Sequence, residues 1–347
     1  MRLLPNTVKP DPDHAGVGRK IMKRIFALFT LALALGLTAC TNTTDNSKVT
    51  LVAHDSFVMS EELIAEFKEN SGIDLAIVKA GDAGEMTGKL VLSKDAPIAD
   101  VAFGVDNTFA SVIESNQVLA DGAELVPIDF ADICFNVDIN YFKDNNLVIP
   151  NHWKDLTKPE YKNLTVIQNP NLSSTGLGFL VSTFAAFPTE VQTMKWWSAF
   201  KNNGVKIAAG WEDAYYTDFS GSAGKGDYPV VLSYSSSPAD EVDEQGNAKT
   251  VALRKDCFRQ TEYAGVLRNA KNAPGAEALI KFMLGKSFQE ALPGAMYVYP
   301  IDKTVKLPES WALRAPEATS TIGGDLDIAK NRASWLAQYN KVFDVAP

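Results

Sequence analysis

Apolar and polar positions alternate along this chain in two periods. Residues 49–53, 75–78 and 99–103 are apolar runs of strand length, each followed by a polar or glycine-containing break. After the first, Ser60 reads as a helix N-cap, with Glu61 and Glu62 in the first turn, Leu63, Ile64 and Phe67 on a buried face, and Gly72 as the stop. Residues 81–84 read as a loop and 86–92 as a helix; the third run leads into a helix over 108–115. From about Leu125 the pattern changes. Residues 126–137 are β-rich and are expected to carry the chain into a second domain. Strands are predicted over 163–167, 205–208, 228–232 and 261–267. Helices are predicted within 141–158 and over 176–187, 190–202, 211–219, 274–284, 287–291 and 335–343. Strands alternating with helices argue for parallel sheets covered on both faces. The expected fold is α/β with two lobes, one from 48–130 plus 250–300 and the other from 131–249 plus 301–347, each a mostly parallel sheet flanked by helices.

The N-terminus has a different pattern. Lys23-Arg24 precedes an apolar segment over 25–37, too short for a span of about 20 residues and suited to an export signal. It closes on Leu37-Thr38-Ala39-Cys40, which looks like a bacterial lipobox. The expectation is a signal peptide over 1–39, a lipid on Cys40 and a polar tether over 40–47, with an uncleaved helical anchor as the alternative. Met22 is a second candidate start. The protein would then work at the outer face of the cell membrane or in the periplasm. There the remaining cysteines, Cys134 and Cys257, are expected to pair, two buried free thiols being the alternative.

Charge narrows the partners. The formal net charge is −9, but residues 1–39 hold six Lys/Arg and two Asp/Glu, leaving 27 basic against 40 acidic residues beyond them. Such a chain suits neither nucleic acid nor anionic lipid, and its field favours a cationic small ligand. The three histidines, His14, His54 and His152, show no metal-ligand spacing, so no metal site is expected. No nucleophile elbow, phosphate-binding glycine loop or dinucleotide fingerprint is present, which argues against an enzyme.

Candidate ligand contacts gather at strand ends. Asp55-Ser56-Phe57, Gly104-Val105-Asp106-Asn107 and Leu232-Ser233-Tyr234-Ser235-Ser236-Ser237-Pro238 each follow an apolar run, where open α/β sheets bind ligands. Asp55 and Asp106 would accept from an amino group, turn capping being the alternative. Ser173-Ser174-Thr175-Gly176-Leu177-Gly178 opens a helix and could hold an anion or act as a plain cap. Trp211, Tyr215, Tyr234 and Tyr297 offer faces to a planar or cationic ring.

Together these stretches resemble the thiamine-binding proteins of ABC importers. Asp55-Ser56-Phe57, Gly104-Val105-Asp106-Asn107, Gln168-Asn169-Pro170, Ser173 to Gly178, Gly210-Trp211-Glu212-Asp213-Ala214-Tyr215, Leu232 to Pro238 and Met296-Tyr297-Val298-Tyr299-Pro300 occur in that family's order and spacing, covering nearly all of 48–345. The resemblance implies a type II periplasmic-binding-protein fold that closes on a ligand between its lobes. It implies ligand contact from Asp55, Ser173 and Ser174 with Trp211 at the hydroxyethyl or phosphate end, and Tyr234 and Tyr297 against the rings. Three positions depart: His54 stands where an aromatic is expected, Tyr297 where the family has Trp, and Asp240 where it has Tyr. Asp240 would put a carboxylate near the thiazolium. The ligand would be thiamine, thiamine monophosphate, thiamine diphosphate or a precursor, with no resident cofactor. The expected partners are ABC permease subunits, and the protein a monomer. Another small ligand (ferric iron, a polyamine or an organophosphonate) is the alternative. Less favoured is an extracytoplasmic thiamine-processing enzyme, which would need a free, activated Cys134 or Cys257.

Overall fold

The computed structural model describes residues 46–222 and 226–345. The signal peptide, Cys40 and most of the tether lie outside the described residues. β1 (Lys48–Ala53), α1 (Glu61–Ser71), β2 (Asp74–Lys79), α2 (Ala83–Leu92), β3 (Val101–Asp106) and α3 (Ala110–Ser115) follow the hydrophobic pattern. Ser60 caps α1 by accepting from Leu63 N at 3.3 Å, and Gly72 ends it at φ +72°. Then come β4 (Val126–Asp138), α4 (Ile139–Asp144), β5 (Thr165–Gln168), α5 (Ser174–Ala186), α6 (Glu190–Asn202) and β6 (Lys206–Ala208). A π-helical turn, Asp213–Asp218, precedes β7 (Val230–Tyr234) and β8 (Thr250–Val266). The chain ends with α7 (Ala273–Met283), α8 (Lys286–Met296), β9 (Tyr299–Pro300), α9 (Glu309–Arg314) and α10 (Ile328–Phe343).

Hydrogen bonds join the strands in the order β2-β1-β3-β8-β4-β7-β5-β6, with β9 on β4. β1 pairs in parallel with β2 and β3, and β5 with β6 and β7. The two parallel groups are the expected ones, but they are not separate sheets: the long antiparallel pair β4–β8 runs between them and connects both. Alternate residues feed different cores. Leu51, Val101 and Phe103 pack with Phe67 of α1 and Leu279 of α7, while Val52 and Ala102 join a core containing Leu177 and Trp197.

Several elements differ from the sequence expectation. β8 begins at Thr250 rather than near 261, because Arg254-Lys255-Asp256 interrupts its apolar pattern. There the strand bulges: Ile133 faces Phe258 and Phe135 faces Leu253, leaving 254–257 against Cys134, with Asp256 at φ +54°. α8 continues through Pro293, where the sequence suggested a stop, and ends at Tyr297 in the left-handed region. α9 was not anticipated, and α10 starts earlier than expected, at an Asp327 cap that accepts from Lys330 N.

The cysteines pair as expected. Cys134 and Cys257 form a disulfide with Cα atoms 5.0 Å apart, tying the β8 bulge to β4 across 123 residues of sequence. Among the described residues no helix is long and apolar enough to cross a membrane.

Candidate functional site

The breaks after β1, β2, β6 and β7 meet at one cavity, joined by the first turn of α5, the middle of β8 and the end of α8. Its β1 edge is braced from β2. Lys79 Nζ donates to the carbonyls of Asp55 (2.8 Å) and Phe57, and Asp55 and Gly81 exchange hydrogen bonds at 3.0 Å. Asp82, in the break after β2, caps α2 through Ala83 N (2.6 Å) and accepts from Trp211 N (2.9 Å). One carboxylate thus links the α2 start to the β6 end. Burial raises its pKa above the ordinary carboxylate value, although the Trp211 N–H, Ser173 and the Ala83 N–H pull against it.

Trp211 is the centre of an aromatic group. Its ring stacks on Tyr215 at 4.8 Å and 11°, and Tyr216, Tyr234 and Tyr297 lie 5.4, 6.1 and 6.5 Å away. Its indole N–H donates to Ser233 Oγ at 2.9 Å, fixing the ring. Tyr297 sits at φ +58°, and Ser236 Oγ donates to its carbonyl. A non-glycine residue held there carries backbone strain, of the kind that gathers at ligand sites.

The β8 wall is polar. Gln260 and Glu262 lie on the buried side of the strand between Phe258 and Ala264, and both line the cavity. His54 Nε2 lies 3.4 Å from Glu262 Oε1. Burial opposes charge on His54, but Glu262, with Asp82 adding, outweighs it, and the imidazole pKa is raised. Burial likewise opposes charge on Glu262, yet His54 holds its pKa below the ordinary value. Asp129 on β4, wholly buried, takes the opposite course: burial and the Glu262 charge push it well up. Of the two carboxyls, Glu262 is thus the readier to ionise and Asp129 the readier to keep its proton.

Of the sequence candidates, Ser56, Ser174, Trp211, Tyr234 and Tyr297 line this cavity. Asp55 lines an adjoining one, which shares Ser56, Asp82 and Trp211. The others stand behind or beside the walls. Asp106 Oδ1 accepts from Thr108 N, Thr108 Oγ1 and Phe109 N at the start of α3, the capping alternative; burial pushes its pKa to about 7. Asn107 clamps β8, donating to Arg259 O and accepting from Thr261 N. Ser173 Oγ lies 3.0 Å from Thr175 Oγ1, which donates to Gln168 Oε1. Tyr215 backs Trp211 and donates to Glu241 Oε1. Asp240 is exposed and reaches the site through its hydrogen bond with Tyr297 and its charge beside Tyr216. Cys40 lies outside the described residues.

Sequence reasoning passed over His54 as a contact and missed Asp82, Gln260 and Glu262. A signal existed for two of them: polar residues at alternate positions between Phe258 and Ala264 put polar atoms on a buried strand face. Asp82 follows the same strand-end grammar as Asp55.

Two parallel strand groups joined in one sheet by two crossing strands, with aromatic and acidic side chains around a cavity at the strand ends, make up the type II periplasmic-binding-protein fold. A model of the bacterial extracellular solute-binding protein family matches residues 103–329, and the chain belongs to that family. A thiamine-binding periplasmic protein of Brucella melitensis is 27% identical over 337 residues, covering 91% of this chain and 98% of that protein. One from Escherichia coli (strain K12) is 24% identical over 292 residues, covering 79% and 86%. The solved structure of a periplasmic thiamin binding protein superposes with a TM-score of 0.74 at 21% identity, covering 86% of this chain and 96% of that one.

Proposed function

We propose that this chain is a lipid-anchored receptor that captures thiamine or a thiamine phosphate outside the cytoplasmic membrane and delivers it to the permease subunits of an ABC importer. The observation that carries this reading is one cavity lined both by Trp211, Tyr216, Tyr234 and Tyr297 and by Asp82, Glu212 and Glu262. Aromatic faces and carboxylates together suit a flat organic cation, and burial from water strengthens both attractions. Ser174 at the start of α5 lines the same cavity, and its hydroxyl suits the hydroxyethyl or phosphate end. Relatives named as thiamine-binding periplasmic proteins support the ligand and the compartment.

No covalent step is required. Residues 48–130 plus 250–300 act as one lobe and 131–249 plus 301–347 as the other, closing about β4 and β8. The contacts across that division support the reading: Asp82 accepts from Trp211 N, and Gly84 N donates to Leu172 O at 2.8 Å. The thiamine-processing alternative loses its nucleophile, since Cys134 and Cys257 are bonded to each other. The receptor acts as a monomer, anchored through Cys40.

A thermal-shift screen tests the ligand assignment. At a concentration of 100 times Kd a ligand stabilises the folded state by about 2.7 kcal/mol. Thiamine or its phosphates should raise the melting temperature, and spermidine, ferric citrate and an alkylphosphonate should not. A shift with one of the latter alone would refute the assignment.

A further inference from the structure

The cavity carries a charge arrangement that capture of a cation must disturb. His54 closes the β1 end, its ring against Gly104, where any Cβ would collide with His54 Cδ2. The His54 side chain is 13% exposed, and its Nε2 faces Glu262 Oε1 at 3.4 Å, an ion pair when the ring is protonated. Beside it Gln260, 1% exposed, leaves Oε1 without a partner on the cavity wall, and the wholly buried Asp129 stands behind Glu262. The charged groups acting on His54 are Glu262 from β8, Asp82 from the start of α2 and Lys79 from β2; Asp129 from β4 acts through Glu262. When His54 is protonated, the ligand-free cavity thus already holds one cation, an imidazolium, on the carboxylate that lines it.

We propose that entry of a cationic ligand displaces this internal cation: His54 gives its Nε2 proton to solvent, and Glu262 passes from imidazolium to ligand as counter-ion. His54 is then a specificity residue, because a neutral ligand gains nothing from the exchange. The charge balance is closed, one positive charge entering with the ligand and one leaving as a proton. Gln260 Oε1 and Glu262 remain as acceptors for an N–H edge on the incoming ring. The inference rests on the cationic-ligand reading above and adds a proton to it.

Calorimetry with thiamine as the probe, on the purified protein from pH 5.5 to 8 in buffers of different ionisation enthalpy, counts the protons released. Affinity should rise about tenfold per pH unit while His54 is charged and level off above that range. His54→Gln should release about one proton fewer per ligand bound and show a correspondingly shallower profile. Protons lost from Asp106 appear in both proteins and cancel in the difference; Asp82 and Glu262 act on His54, and Asp129 acts through Glu262, so the NMR midpoint assigns the released proton to the imidazole. Equal proton counts and equal slopes in the two proteins would overturn the exchange while leaving the ligand assignment standing. No thiamine heat at any pH would overturn both. NMR titration of the wild-type imidazoles needs no variant: saturating thiamine should move the His54 midpoint down by roughly one pH unit or more, and an unmoved midpoint would refute the proposal.

Discussion

Replacing Gly84 by alanine tests whether the observed contact between α2 and the turn after β5 belongs to ligand capture. Gly84 N and Glu85 N share the Leu172 carbonyl at 2.8 and 3.3 Å. A Cβ on Gly84 would lie 2.6 Å from Leu172 O and 2.8 Å from Phe109 Cζ. Neither neighbour is the free end of a flexible side chain, so the two segments must part by several tenths of an ångström. That loosens two hydrogen bonds, each with a net value of about 0.5–1.5 kcal/mol. If they form only on closure, the loss of about 1–3 kcal/mol falls on the bound state and weakens affinity roughly 5- to 150-fold. The assay is isothermal calorimetry of thiamine binding, paired with ligand-free thermal melts. The expected result is a raised Kd, carried by faster dissociation, with a ligand-free melting temperature within a few degrees of wild type. An unchanged Kd would refute the latch. A large drop in ligand-free melting temperature would show that the contact belongs to the resting fold instead.

Trp211→Ala removes the centre of the aromatic group, and a desolvated cation–π face contributes about 2 kcal/mol, so thiamine affinity should fall roughly 30-fold by calorimetry, with Trp211→Phe intermediate. Replacing Cys134 and Cys257 together by alanine releases a 123-residue loop; chain entropy sets the loss at about 5 kcal/mol. At about 2 °C per kcal/mol, calorimetric scans should show melting lowered by roughly 10 °C. Burial pushes the Asp106 pKa to about 7, so between about pH 4 and 7 this group binds more proton in the native state than in the unfolded chain, and its contribution to stability falls as pH rises through that window. Urea titrations should show Asp106→Asn flattening this fall by an amount on the order of 4 kcal/mol.

The fold was largely legible because its signals are local. Apolar runs of five residues, the Ser60 cap and the Gly72 stop each act within a turn or two, and the structure follows them. The first half of β8 was not legible, because its pairing with β4 overrides the charged stretch Arg254-Lys255-Asp256. α8 runs on through Pro293 to the cavity-lining Tyr297, where local propensity argues for a stop. The site divides in the same way. Trp211, Tyr234 and Tyr297 stood out as aromatics at strand ends or beside glycines, and they line the cavity. Asp106, Asn107 and Tyr215 occupy equally suggestive positions yet brace the walls, a distinction set by side-chain direction rather than position. The pairing of His54 with Glu262 joins residues far apart in sequence and depends on the β3–β8 register, which no local pattern encodes.

The account's central claim is that the Trp211 cavity holds thiamine or one of its phosphates. Calorimetry of the purified protein with thiamine, thiamine monophosphate and thiamine diphosphate, repeated on Trp211→Ala, tests it most directly. The account predicts saturable heat at one ligand per chain for at least one of the three, weakened roughly 30-fold by the substitution. Absence of heat with all three, or binding that Trp211→Ala leaves untouched, would contradict it.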